Sequence, residues 1–490
     1  MDRLKQTYRS SLMLLTDLYQ LTMAYGYWKH GRHKDRAAFH LYFRKNPFGG
    51  GFTVACGLAE ALEVLSDFRF DESDLAYLAT LKGNDGQPLF NREFVAFLKT
   101  LQLSLDLEAI PEGTVVFPNE PLIRVTGPIL QCQLVETILL NIINFQTLIA
   151  TKSARICLAA RGDPVFEFGL RRAQGIDGAL AASRAAYVGG CAATSNVLAG
   201  KLFGIPVGGT HAHSWVMSFD DEMQAFEAYA RAMPNNCIFL VDTYDTLEGV
   251  RRAAEVGKQL RKSGHRMVGI RLDSGDLAYL SIEARKILDA AGLTEAIIVA
   301  SNDLDETIIE SLKLQGAAIS LWGVGTNLVT GAGQSALGGV YKLTAEQGKD
   351  GAWMRKVKAS DVTSKSSIPG LLQVRRFSSA GGIVADAIFD EMLGIGPTPT
   401  IVDPADPLRR KAIPADMECE NLLVPVMRNG KVLAEGPSLP AIRARAKGQI
   451  GALYPGITRF TNPHMYPVGL EEGLAAVRTE MLVKVKEHRA

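Results

Sequence analysis

The runs PVFEFG (164–169), CIFLVDT (237–243), MVGIRLD (267–273), AIIVASN (296–302) and AAISLWG (317–323) decide the fold. Each is short, apolar without alternation and rich in β-branched residues; GIPVGG (204–209) adds another. Helix-like segments separate most of them: Asp220 to Ala232, Thr246 to Lys262, Leu277 to Ala290 and Leu304 to Leu314. Unalternating strands spaced by helices read as parallel strands covered on both faces. Six or more such units predict an α/β fold, an irregular barrel related to the (β/α)₈ type, with a doubly wound open sheet as the competing architecture. The polar residues favour the barrel, because they fall just after the strands: Arg171, His211 and His213, Asp242, Arg271 with Asp273, Asn302, then glycines 323 and 325. A barrel would bring these ends to one mouth.

Outward from this centre the chain divides into three. Residues 1–133 read as a mixed α/β domain, opening with an apolar helix pattern around Leu14 to Ala24 and closing with strand-like EGTVVFPNEPLIRV (112–125). A helix from Leu134 through Thr151 to Leu158 leads into the barrel domain, 134–350. Residues 351–490 begin basic and irregular (KVKASDVTSKSSIPG), continue through LLQVRRF and GGIVADAIFD, and are expected to pack on the first domain.

Composition narrows the function. The chain has 490 residues, enough for two or three cores. Fifty-three basic and fifty-two acidic side chains argue against nucleic acid as the main partner. No run reaches the roughly 18 apolar residues of a membrane helix. Six scattered cysteines without a CxxC pair read as buried small hydrophobes in a reducing compartment, so a cytosolic protein is expected.

Four segments carry chemistry. WGVGT (322–326) places glycines after a strand, where backbone N–H groups can approach a phosphate and a following helix adds a favourable dipole; a tight structural turn is the plainer reading. GIRLDSGDL (269–277) delivers Arg271 and Asp273 with period 2, a clamp for diphosphate and a carboxylate for magnesium or ribose, or else an internal salt bridge. EFGLRRAQG (167–175) sets Phe168 beside arginines, which suits a flat anionic heterocycle. GGTHAHSW (208–215) holds two of the eight histidines. Its readings are a metal site, a satisfied structural imidazole, or a nucleophile that accepts a phosphoryl group.

The chain resembles the nicotinate phosphoribosyltransferases, particularly the longer ones. The similar segments are LLTDLYQLTMAYGYW (14–28), FHLYFRKNPFGGGFTVACGL (39–58), EFGLRRAQGIDGALAASRAAYVGGCAATSN (167–196), GIPVGGTHAHSWVMSF (204–219), FLVDTYDT (239–246), GIRLDSGDL, VASNDLDE (299–306), WGVGTNLVT (322–330) and LGGVYKL (337–343). The resemblance implies a barrel of the type II phosphoribosyltransferase kind and a homodimer with shared active sites. The implied reaction makes nicotinate mononucleotide and diphosphate from nicotinate and phosphoribosyl diphosphate, with ATP and Mg²⁺, for NAD biosynthesis. Tyr19, from the partner subunit, and Phe168 would sandwich the nicotinate ring, with Gly169 and Thr210 nearby. Arg171 would meet the nicotinate carboxylate and the diphosphate, and Arg271 would hold the diphosphate. Asp242 and Asp273 would serve ribose and magnesium. Ser301, Asn302, Gly323, Gly325 and Thr326 would cradle the 5′-phosphate, while Lys358, Ser360 and Lys365 complete the mouth. His213 would be the residue that ATP phosphorylates. Neutral Ser195, where the related nicotinamide enzymes carry an aspartate, would favour nicotinate. The rivals are a nicotinamide enzyme, a phosphate-binding aldolase or isomerase, for which no strand-end lysine is present, and a non-catalytic metabolite-binding barrel.

Overall fold

The computed structural model describes residues 11–360 and 365–487. Its centre is a six-stranded parallel sheet: β1 (Val165–Glu167), β2 (Ala193–Thr194), β3 (Ile238–Leu240), β4 (Gly269–Leu272), β5 (Ile297–Ala300) and β6 (Leu321–Val324). The strand order is β2-β1-β6-β5-β4-β3, and every adjacent pair is parallel. The first and last strands are therefore neighbours, and the order is cyclic with one gap, between β2 and β3. Into that gap runs the segment 206–208, where Thr194 donates to Pro206 O at 3.0 Å and Gly208 N donates to Thr194 O at 3.0 Å. The run at 204–209 thus forms only a bridge at Val207, and the two-residue β2 takes the strand position beside β1 instead. Gly208 permits this approach, since a Cβ there would lie 2.5 Å from the Phe166 ring.

Phe239, Leu240, Ile270, Leu272, Ile298, Ala300, Trp322 and Val324 are almost fully buried. Both faces of these strands are covered, which is why they lack alternation. The helices Thr246–Lys262 and Leu277–Ala290 have the bounds their sequence predicts. Each starts where an aspartate accepts from the N3 backbone, Asp245 from Glu248 N at 2.8 Å and Asp276 from Tyr279 N at 3.0 Å. The long apolar helix is broken at Val135 into Ile129–Leu134 and Glu136–Ala159.

Two further sheets join distant parts of the chain. A seven-stranded antiparallel sheet runs in the order Trp353–Arg355, Val340–Gln347, Arg36–Tyr42, Ile123–Pro128, Asp106–Ala109, Val424–Arg428, Lys431–Val432. The chain leaves the parallel sheet and returns, at Val340–Gln347, to pair with Arg36–Tyr42. A six-stranded mixed sheet is built from the last third, around the long hairpin Leu372–Ser379 and Gly382–Asp390. Its interior holds the ion pair Arg376–Asp386 at 2.6 Å, both side chains almost wholly buried. Val115 O accepts from Arg376 Nη2 at 2.7 Å, tying this sheet to the first region.

Four of the six free cysteines are buried as expected; Cys157 is half-buried and Cys419 is exposed on an edge strand. Among the described residues no helix is long and apolar enough to cross a membrane.

Candidate active site

The carboxyl ends of the parallel strands carry the polar residues. Phe168, Gly169 and Arg171 follow β1, Ser195 follows β2, Asp242 follows β3, and Arg271 and Asp273 lie at the end of β4. Ser301 and Asn302 follow β5; Gly323 sits in β6, with Gly325 and Thr326 after it. Thr210, His211 and His213 come from the segment that fills the gap.

Asp242 organises the mouth. Its Oδ2 accepts from Asp273 N at 3.0 Å and from Ser274 Oγ at 2.6 Å. Its Oδ1 is buried and has no hydrogen-bond partner. Such an orphaned carboxylate oxygen awaits a donor or a cation. Asp273 in turn accepts from Ser301 Oγ through Oδ1. Its Oδ2 lies 3.8 Å from His213 Nε2, while His213 Nδ1 is 3.1 Å from Thr243 Oγ1. When Thr243 accepts from Nδ1–H, Nε2 keeps its lone pair and can act as a nucleophile. Thr243 and Ser274, neither singled out by sequence, thus belong to this chain of contacts. Their only signal was adjacency to Asp242 and Asp273.

The two histidines separate cleanly. His211 is buried, its ring centroid 4.9 Å from that of Tyr229. Its Nε2 accepts from Leu240 N at 3.2 Å. Burial pushes its pKa down to about 4, so it is a neutral structural imidazole. His213 is the half-exposed one, at the start of the short helix His213–Met217.

Arg271 makes no ion pair with Asp273; its Nη1 donates to Thr210 Oγ1, and its Nε is buried without a partner. Burial lowers its pKa from the ordinary value, Asp273 and Asp242 oppose that shift, and Arg171 adds to it. A guanidinium with an unspent donor beside a second arginine suits an anion of high charge.

Phe168 is half-buried above Gly323: a Cβ on that glycine would lie 2.6 Å from the ring. Gly325 likewise lies under the Phe168 carbonyl, 3.2 Å from where its Cβ would be. The helix Thr326–Val329 is a single turn, so any anion here would be held by local N–H groups rather than by a long dipole. Asn302 takes a left-handed conformation, φ 88°. At the end of β1, buried Glu167 accepts from Gly169 N, from Ser183 Oγ at 2.8 Å and from Thr194 Oγ1 at 2.6 Å. It fixes the turn that presents Phe168, and sequence reading passed it over. Ser195 is half-buried, with its N–H on Glu167 O at 2.9 Å.

Not every expected residue joins the mouth of its own chain. Tyr19 is exposed on the helix Leu18–Lys29, beside a hollow lined by Asn141, Asn144, Phe145 and Ser335. It lies within reach of Glu136. Lys342, half-buried, is influenced by Glu136, Lys358 and Arg44, and burial lowers its pKa. Tyr19, Lys342, Lys358 and Arg44 thus make a second polar patch. No hydrogen bond or ion pair among the described residues joins it to the mouth. Ser360 N donates to Ser366 Oγ at 3.2 Å, and Lys365 is exposed. Among the described residues no cluster of three or more His, Cys, Asp or Glu could hold a metal alone.

Comparison with known proteins covers most of the chain. Family models described as the nicotinate phosphoribosyltransferase N-terminal domain, family and C-terminal domain match residues 14–144, 165–371 and 373–478. The nicotinate phosphoribosyltransferase of Bacillus subtilis is 42% identical over 483 residues, 97% of this chain and 96% of its own. That of Homo sapiens is 36% identical, covering 95% of each. A crystal structure of human nicotinic acid phosphoribosyltransferase superposes with a TM-score of 0.82 at 33% identity, over 95% of this chain and 99% of that one. A nicotinate-nucleotide pyrophosphorylase from Pyrococcus furiosus, 22% identical with a TM-score of 0.68 over 90% and 96%, shares the fold. The chain belongs to the nicotinate phosphoribosyltransferase family.

Proposed function

We propose that this enzyme joins nicotinate to the anomeric carbon of phosphoribosyl diphosphate, and that ATP assists by phosphorylating His213. The observation that carries the reading is the convergence of Phe168, Arg271, His213, Asp242 and Asp273 on one mouth of a family member. The nicotinate ring nitrogen attacks C1′ with its lone pair as the bond from C1′ to the diphosphate oxygen breaks, and the electron pair leaves with the diphosphate. No protein nucleophile is needed for that step. Phe168 holds the ring by its face, and the clearance over Gly323 sets the depth. Arg271, held by its bond to Thr210, and the exposed Arg171 stabilise the departing charge. Ser301, Asn302, Gly325 and Thr326 receive the 5′-phosphate. Ser195, neutral, tolerates a carboxylate where an aspartate would repel it. His213 Nε2 takes the γ-phosphoryl group of ATP, releasing ADP, and water later removes it.

The donor set fits magnesium. Asp242 Oδ1 is unspent and Asp273 is its neighbour. Two carboxylates completed by substrate oxygens and water are a usual Mg²⁺ site. When bound, the ion would offset diphosphate charge.

The parallel sheet is taken as an irregular barrel, supported by its cyclic strand order and by the segment 206–208 in its single gap. The units 1–133, 134–350 and 351–490 follow, with Val340–Gln347 the point of return to the first sheet. A homodimer would set the Tyr19 patch of one subunit against the mouth of the other, which supplies the second ring face and extra cations. Six free cysteines agree with a reducing cytoplasm, and nicotinate mononucleotide would feed NAD biosynthesis.

Incubating the enzyme with nicotinate, phosphoribosyl diphosphate, ATP and Mg²⁺ should give nicotinate mononucleotide and diphosphate in equal amounts. Nicotinamide should be a far poorer substrate. No nucleotide product from nicotinate would sink the reading.

A further inference from the structure

A cavity of about 610 Å³ lies at the opposite end of the parallel sheet from the mouth. Pro164, just before β1, and Ala192, just before β2, open onto it. The size falls within the roughly 300–1,000 Å³ of small-molecule sites. Its walls come from three helices. Ala154 and Leu158 lie on Glu136–Ala159, Gly189 ends Ile176–Gly189, and Ile450 lies on Leu439–Gly451. These surfaces, with Val165 and Leu453, are apolar.

The rim is cationic. Arg161, Arg443 and Lys447 line it against one carboxylate, Asp163. Asp163 is already engaged, accepting from Trp322 Nε1 at 3.0 Å and paired with Lys313. Arg443 is anchored: it donates to Gly190 O at 2.8 Å and to Cys191 O at 3.1 Å, and lies 5.1 Å from the Tyr187 ring centroid. Among the described residues, the side chains of Arg161 and Lys447 have no carboxylate or hydrogen-bond partner. An apolar chamber with a fixed guanidinium and two uncompensated cations at its lip selects a molecule with an apolar body and one anionic head. A cation would meet a net positive rim, and a polyphosphate would leave the walls unmatched.

We infer that this cavity is a binding site, separate from the catalytic mouth, for a small amphipathic anion such as an aromatic or branched carboxylic or sulfonic acid. Cys157, a half-buried residue, lies in its wall, and its thiol serves as an internal reporter.

The test uses full-length enzyme with nicotinate and diphosphate in excess to fill the mouth. The probe is anilinonaphthalene sulfonate, followed by fluorescence titration. Alkylation of Cys157 by iodoacetamide is timed in parallel by peptide mass spectrometry. Wild type should bind one equivalent, and the bound probe should slow Cys157 alkylation at least five-fold while leaving exposed Cys419 unaffected. Arg161→Glu combined with Lys447→Glu, both solvent-exposed and remote from the mouth, should weaken binding at least ten-fold with turnover retained. Unchanged affinity in the double variant, or unchanged alkylation of Cys157, overturns the site. Leu158→Gln is the second arm: it should weaken the probe without altering the charge at the rim, and undiminished affinity there overturns the apolar half of the inference.

Discussion

Two residues apart in one turn, His211 belongs to an apolar wall and His213 to the open mouth. His211 packs among Tyr229, Phe226 and Phe239 and spends Nε2 on the Leu240 amide. His213 stands half-exposed between Thr243 and Asp273. The same side chain is a structural acceptor where water is excluded and stands open to the mouth where water is admitted. Burial, rather than residue type, assigns the role. The pattern extends to the arginines: Arg376, sealed in the last-third sheet, spends its donors on Asp386, Gln449 and Val115 O, whereas Arg271 keeps a buried donor unspent at the mouth.

The largest effect expected is at Arg271. Arg271→Ala should lower kcat/KM roughly 10³-fold, in the range found when a fixed transition-state donor is removed, while leaving the urea midpoint close to wild type. A loss of stability instead of activity would move Arg271 to the structural side of the comparison. Next comes His211. Its folded pKa of about 4 lies below the unfolded value near 6.5, so the neutral form favours the fold. That contribution is present above pH 6.5 and is lost as pH falls toward 4. It amounts to on the order of 3 kcal/mol. Urea unfolding at stepped pH should show this decline in wild type and a flatter one in His211→Gln. Parallel curves would contradict the assignment.

Smaller still is Gly323→Ala. The new methyl would meet the Phe168 ring. KM for nicotinate should rise about ten-fold with KM for phosphoribosyl diphosphate less affected, a misfit of the kind that costs about 1–3 kcal/mol. Equal changes in both would mean that the glycine serves the phosphate rather than the ring. Thr243→Ala should be mildest, slowing phosphorylation of His213 about five-fold, near the net worth of one neutral hydrogen bond. Single-turnover rates with labelled ATP would measure it, and no change would remove Thr243 from the tautomer argument.

Much of this was legible in sequence. Doubly covered strands show as apolar runs, and the helices Thr246–Lys262 and Leu277–Ala290 as the segments between them, so the parallel centre and the strand-end polar residues could be read directly. What escaped was non-local. Two-residue β2 is too short to carry a period, and the pairing of Val340–Gln347 with Arg36–Tyr42 joins segments some three hundred positions apart with no local mark. Histidines two apart looked alike, because the wall that buries one is supplied by Phe226 and Tyr229 of a later helix. Glu167 was missed because a buried acid amid an apolar run reveals its partners only in three dimensions. Tyr19 was singled out through resemblance alone, and the helix Leu18–Lys29 holds it apart from the mouth of its own chain.

The claim that burial divides the two histidines is tested most directly by phosphate transfer. Enzyme mixed with γ-labelled ATP and Mg²⁺ is digested, and the label mapped by mass spectrometry. An acid-labile, base-stable phosphate on His213, unchanged in His211→Gln and absent in His213→Ala, is the predicted result. Label on His211, or full labelling without His213, would contradict it.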